Sequence, residues 1–221
     1  MITKLELDEL VEKYENKAFI ETDPIQLPHN YKDVCDIELV GFISALFAYG
    51  SRKVFISKLY ELFSKMGESP IDYIKQGDFS NLSGFNYRFA KENDVIGILE
   101  VLSKLYNSNE TIQTLFKYGY DTTYEIKGML QIVTDYFYAN STDVGEGFTF
   151  MLANPKNGGA MKRLNMFLRW MIRKPPVDFG IWKFIPTSEL LIPLDTHVAK
   201  ISREMHLLKR KSNDFKAVTE L

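Results

Sequence analysis

A chain of 221 residues, 45% of them hydrophobic, can bury a core without disulfides or metals, which excludes a disordered chain and a small stapled scaffold. Its one cysteine, Cys35, cannot make an internal disulfide or a four-cysteine metal site. The net charge of −2 hides an asymmetry: residues 156–216 hold 13 Lys or Arg against 5 Asp or Glu, a local +8 set against −10 elsewhere. A positive end on an acidic body suits a polyanion partner, although solvated helix faces give the same balance.

The first ten residues are acidic and amphipathic, unlike the basic start and apolar run of a secretory leader. No apolar run approaches the ~20 residues that span a bilayer. A soluble, cytoplasmic protein with no membrane partner is expected. Asp36 is a predicted N-cap for a helix over 37–49, which Gly50 stops. This helix carries few charges and should be central. A second predicted helix covers about 53–66, and Ser69-Pro70 opens a third with a Ser cap and Pro at its first position. Gly84-Phe85-Asn86-Tyr87-Arg88-Phe89 is a connector, followed by an apolar stripe of Val95, Ile98, Leu99, Leu102 and Leu105. Further helices are predicted near 111–118 and 123–138, and 140–147 reads as a loop.

A long helix over 160–173 follows Asn157-Gly158-Gly159 and ends before Pro175-Pro176. Asp195-Thr196 caps another, to about 207, and a last one begins near 213. Leu221 lacks a stop signal, so a chain continuing past it is expected. Neither a convincing strand pattern nor a Gly-rich phosphate loop is visible. The expected class is all-α: one domain over 1–221, with a core lobe over 35–140 and a basic, hairpin-containing lobe over 150–216 around a cleft.

Two segments carry candidate chemistry. Asn157-Gly158-Gly159-Ala160-Met161-Lys162-Arg163 presents a lysine in the first turn of a helix after a Gly turn. Pro193-Leu194-Asp195-Thr196-His197 places an aspartate at a later helix start. An Asp-Thr pair in that position is also what a plain N-cap requires, and Lys162 alone reads as an exposed helical lysine. A lysine amine is a nucleophile only when neutral. The neighbouring Arg163 and the positive end of the helix would both favour that form.

These strings resemble the catalytic segments of the helix-hairpin-helix (HhH-GPD) DNA glycosylase superfamily. Pro193-Leu194-Asp195-Thr196-His197 is similar to the segment that carries the catalytic aspartate in relatives of the endonuclease III kind. Lys162 precedes Asp195 by 33 positions, a spacing nearest to that of archaeal 8-oxoguanine DNA glycosylase. Lys162-Arg163-Leu164-Asn165-Met166-Phe167-Leu168-Arg169-Trp170-Met171, Val177-Asp178-Phe179-Gly180-Ile181-Trp182 and the Asp195 segment together resemble an uncharacterised bacterial family of that superfamily. Leu46-Phe47-Ala48-Tyr49-Gly50-Ser51 resembles a helix end that enters the duplex, and the Tyr87-Arg88 segment a connector of 8-oxoguanine glycosylases.

The resemblance implies a base-excision N-glycosylase with AP-lyase activity on a damaged base, an oxidised purine first, in duplex DNA. Lys162 would be the Schiff-base nucleophile and Asp195 its carboxylate. Tyr49, Arg52, Arg88, Gly158, Gly159, Arg163, Arg169, Arg173, His197 and Lys200 would contact DNA. The superfamily hairpin reads Gly-x-Gly-x-Lys, whereas Gly158 and Gly159 are adjacent, so an altered hairpin is expected. The Cys-rich iron–sulfur tail of many relatives is absent from the sequence, and no cofactor or metal is expected. A silent DNA-binding module with the same fold is the rival reading.

Overall fold

A computed structural model describes residues 3–221; Met1 and Ile2 of the acidic N-terminal stretch lie outside the described residues. Helices follow one another along the chain: α1 (Lys4–Tyr14), α2 (Lys17–Ile20), α3 (Val34–Leu46), α4 (Arg52–Met66), α5 (Pro70–Gln76), α6 (Glu92–Asn107), α7 (Ile112–Thr123), α8 (Ile126–Asn140), α9 (Glu146–Met151), α10 (Lys162–Ile172), α11 (Thr196–Glu204) and α12 (Phe215–Glu220). Among the described residues, β-type pairing is limited to two isolated bridges. The all-α expectation therefore holds.

The weakly charged helix α3 lies at the centre, buried from Asp36 to Leu46. Its Phe42 ring meets Phe137 of α8 and Phe167 of α10, each at 5.3 Å between centroids. Helix α10 can approach because Gly41 has no side chain: a Cβ there would sit 3.2 Å from Met171 Cε. Each fully buried aromatic or aliphatic side chain in such a core contributes on the order of 1.5–3 kcal/mol. The polar groups on α3 are satisfied in ways that fix its neighbours. Asp36 accepts the Ile71 N–H at 2.8 Å, tying down the start of α5, and Glu38 accepts the Trp182 indole N–H at 2.8 Å.

Asp36 is thus occupied elsewhere, and the N-cap of α3 is Asp33, which accepts the Cys35 and Asp36 N–H groups. The helix also stops at Leu46, short of Tyr49. Tyr49 and Tyr87 exchange hydroxyl-to-carbonyl hydrogen bonds, which hold the Tyr49 backbone outside the helical path. The helix expected over 123–138 is shifted, because Tyr124 takes a left-handed conformation (φ 54°) and ends α7.

The apolar core does not divide at 140–150. Leu164, Phe167, Leu168, Trp170 and Met171 of α10 belong to the large cluster built around α3. A second, small cluster comprises Leu194, Ala199, Leu208, Ala217 and Val218. The basic segment is therefore split: α10 is part of the main body, while α11 and α12 form a small second cluster that is joined to the main core through Phe215 of α12. No described helix is long and apolar enough to cross a membrane.

Candidate active site

Helix α10 starts abruptly. Gly158 is left-handed (φ 75°), and its carbonyl accepts the Phe215 N–H at 2.8 Å, while Gly159 bridges to Asp214. The turn before α10 is thereby stitched to the start of α12. Met161 then takes a left-handed conformation (φ 52°) while its side chain is buried in the main core. That conformation is costly for a non-glycine residue, so packing must hold it. Its consequence is positional: Lys162 becomes the first residue of α10, aimed out of the core.

Asp195 is the N-cap of α11. Its Oδ1 accepts the His197 N–H at 3.0 Å and the Val198 N–H at 2.9 Å. The other oxygen, Oδ2, lies 3.4 Å from Lys162 Nζ. Both side chains are about one-third exposed, at 36% and 30%, so the pair is open to an approaching ligand. Burial works against ionisation of Asp195. The Val198 N–H, the Lys162 ammonium and the His197 N–H outweigh it and hold the carboxyl below its usual range.

The pair borders a cavity of about 920 Å³ between the main body and the small second cluster. Tyr49, Gly50, Arg52, Trp170, Leu194 and His197 are among its walls. Tyr49 is half-buried in an aromatic group, tilted against Tyr87 and edge-on to Phe150 at 4.9 Å each. Burial pushes its hydroxyl up to about 12, so it stays protonated. Gly50 is required twice over: its φ is +79°, and a Cβ would meet Arg88 Nη1 at 2.5 Å and Tyr87 Oη at 2.7 Å.

The expected DNA contacts separate into two groups. Arg52, Arg88, His197 and Lys200 are exposed, and Gly159 has open space at its Cα. Arg52 donates to the Thr22 carbonyl, and Lys200 is 3.9 Å from Glu204. The second group is turned inward. Arg163 donates to the Phe150 and Met151 carbonyls, the unsatisfied C-terminal groups of α9, and lies 4.9 Å from the Tyr49 ring centroid and 4.5 Å from that of Phe150. Burial lowers its guanidinium to about 10. It acts as a strut beneath the cavity wall rather than a phosphate contact, and its charge is drawn away from Lys162.

Arg169 and Arg173 flank the fully buried Asp178, at 3.3 Å and 3.6 Å, and Arg173 also reaches Glu15 at 2.5 Å. Burial raises the Asp178 carboxyl, and the two guanidinium groups work against that shift. These arginines hold the Val177–Trp182 stretch of the sequence against α10, which commits donors that a phosphate would otherwise use. Asp23, which sequence reasoning missed, also lines the cavity. Asp23-Pro24 looks like an ordinary turn opening, and only the packing of the N-terminal turns on α3, with hydrogen bonds from Arg52 and Tyr60 of α4, brings it there.

Residues 23–221 match the family model described as a protein of unknown function, DUF2400. The chain belongs to this family. No curated protein and no solved structure matches it. The family description assigns no chemistry, so the reading of the site rests on its geometry.

Proposed function

We propose that the protein is a DNA N-glycosylase of the helix-hairpin-helix kind with AP-lyase activity, acting on a damaged base in duplex DNA. One observation carries the reading: residues 33 apart in sequence, a helix-opening lysine and a helix-capping aspartate, meet at 3.4 Å on the wall of a cavity. Both stand on rigid supports, the packed Met161 turn and the α11 N-cap, as a catalytic pair requires.

The chemistry follows from the pair. A flipped nucleotide that fills the cavity excludes water, which disfavours the charge-separated Lys162–Asp195 state. The proton passes from Lys162 Nζ to Asp195 Oδ2, and the amine lone pair is freed. Nζ forms a bond to the sugar C1′ as the glycosidic bond breaks, its electrons leaving with the base. The C1′–O4′ bond then opens: Asp195 passes its proton to the ring oxygen, Nζ releases one of its two protons to water, and a protonated Schiff base remains. Asp195, again ionised, stabilises the positive charge on the sugar.

Duplexes carrying 8-oxoguanine, uracil or hypoxanthine, and one carrying an abasic site, test this. Base release from at least one lesion is expected, together with borohydride trapping of protein on DNA. Binding to the abasic duplex with neither release nor trapping would instead support a silent DNA-binding module. Absence of binding at low salt would remove both.

A further inference from the structure

Besides Asp195, the cavity holds a second carboxylate, that of Asp23. Asp23 caps the short 3-10 turn Pro24–Gln26, and its Oδ1 accepts the Ile25 N–H at 3.1 Å. Its Oδ2 has no hydrogen-bond partner among the described residues. A carboxyl with one oxygen committed as an acceptor carries any proton on the other. Here that oxygen belongs to a residue on the cavity wall.

We propose that Asp23 is the general acid that protonates the departing base. The assignment rests on the glycosylase reading above. It also follows from the division of labour in the cavity. Asp195 is held ionised by two backbone N–H groups and Lys162, and the one proton it takes, from Lys162, goes on to the sugar ring oxygen, so the proton for the base must come from another group. Asp23 is on a different wall, contributed by the N-terminal turns. Burial raises its carboxyl, while the Ile25 N–H, Arg52, Arg169 and Lys162 moderate the shift. Two carboxyls pushed in opposite directions within one cavity suit opposite tasks.

The step balances. As Nζ of Lys162 bonds to C1′, the glycosidic electron pair moves onto the base. The Oδ2–H proton of Asp23 transfers to a ring nitrogen or carbonyl oxygen of that base. Asp23 becomes a carboxylate, stabilised by Arg52, and is reprotonated from water after the base departs.

A base must leave for this proton to matter, whereas Schiff-base formation at an existing abasic site has no base to protonate. Asp23→Asn keeps the Oδ1 acceptor and the turn cap but has no acidic proton. It should lose ~10²-fold or more in single-turnover base release, the scale of a general-acid contribution. Trapping on the abasic duplex should stay close to wild type, which also shows that the variant is folded. Asp23→Glu should recover part of the release rate. Equal base release by wild type and Asp23→Asn would overturn the assignment and leave the glycosylase reading standing. So would a wild type that traps the abasic duplex but releases none of the three bases. A wild type that neither releases nor traps would remove both together.

Discussion

Asp195 has two roles that substitution can separate. As N-cap, its Oδ1 accepts two N–H groups at the start of α11. As a charged group, its Oδ2 faces Lys162 at 3.4 Å. Asparagine caps a helix about as well as aspartate, so Asp195→Asn keeps the first role. The ion pair it removes is about one-third exposed on both sides and so contributes roughly 0–1 kcal/mol. The melting temperature should then fall by no more than ~2–4 °C for a chain of this size. Loss of a carboxylate placed against developing charge costs much more, ~10²–10³ in rate or about 2.7–4 kcal/mol. Asp195→Ala removes the cap as well, for about 1 kcal/mol further. Single-turnover base release and thermal unfolding of both variants measure the two roles. A stable Asp195→Asn protein with wild-type release would reduce Asp195 to a cap. Decreases in release that simply track the melting temperatures would do the same.

Lys162→Gln should abolish borohydride trapping on an abasic duplex while leaving affinity within a few-fold of wild type; persistent trapping would place the nucleophile elsewhere. Lys209→Glu and Lys211→Glu should weaken duplex binding and flatten its salt dependence, by about one unit of slope for each phosphate no longer neutralised, as read from titrations over a range of salt; an unchanged slope would take these lysines off the DNA. Replacing Arg169 and Arg173 together by Ala should instead destabilise the fold, by up to about 3–5 kcal/mol because the buried Asp178 is left unpaired, with a lower melting temperature; unchanged melting curves would show that Asp178 does not depend on them. Burial raises Glu38 to about 7 against an ordinary 4.5. The folded state therefore holds its proton more tightly, and this stabilisation is full below about pH 4.5 and lost as pH rises through 7. Glu38→Gln should flatten the thermal stability profile across that window, and an unaltered profile would contradict a buried, protonated Glu38.

The features legible in the sequence are those with local causes. The low charge of α3 announces its burial, Ser69-Pro70 opens α5, and Asp195 caps α11. The pairing of Lys162 with Asp195 is suggested only by a family resemblance, since no spacing rule brings positions 33 apart together. Features decided by tertiary packing are out of reach. The sequence points to Asp36 as the cap of α3, and only the Ile71 N–H, which claims that carboxylate, leaves the cap to Asp33. Tyr124 ends α7 without a glycine or proline to mark it. Arg163 reads as one more cation, and only the open end of α9 and two aromatic rings turn it inward.

The basic segment shows how a charge balance divides once the chain is folded. Arg163, Arg169, Arg173, Arg203 and Arg210 all bind protein groups: carbonyls of α9, Asp178, the carbonyls of Arg210 and Lys211, and Asp214. A planar guanidinium with five donors suits such internal bracing, whereas a strongly hydrated ammonium stays at the surface. Lys174, Lys209, Lys211 and Lys216 are exposed and have no ion-pair partner among the described residues. Arg163 and Arg169 thus brace the wall of the cavity, and on the proposed function the exposed lysines would attract the polyanion. Steering by a few exposed lysines gives sequence-independent, salt-sensitive attraction. On the proposed glycosylase function, discrimination between bases would then come from the cavity, whose walls include Tyr49, Trp170 and Asp23.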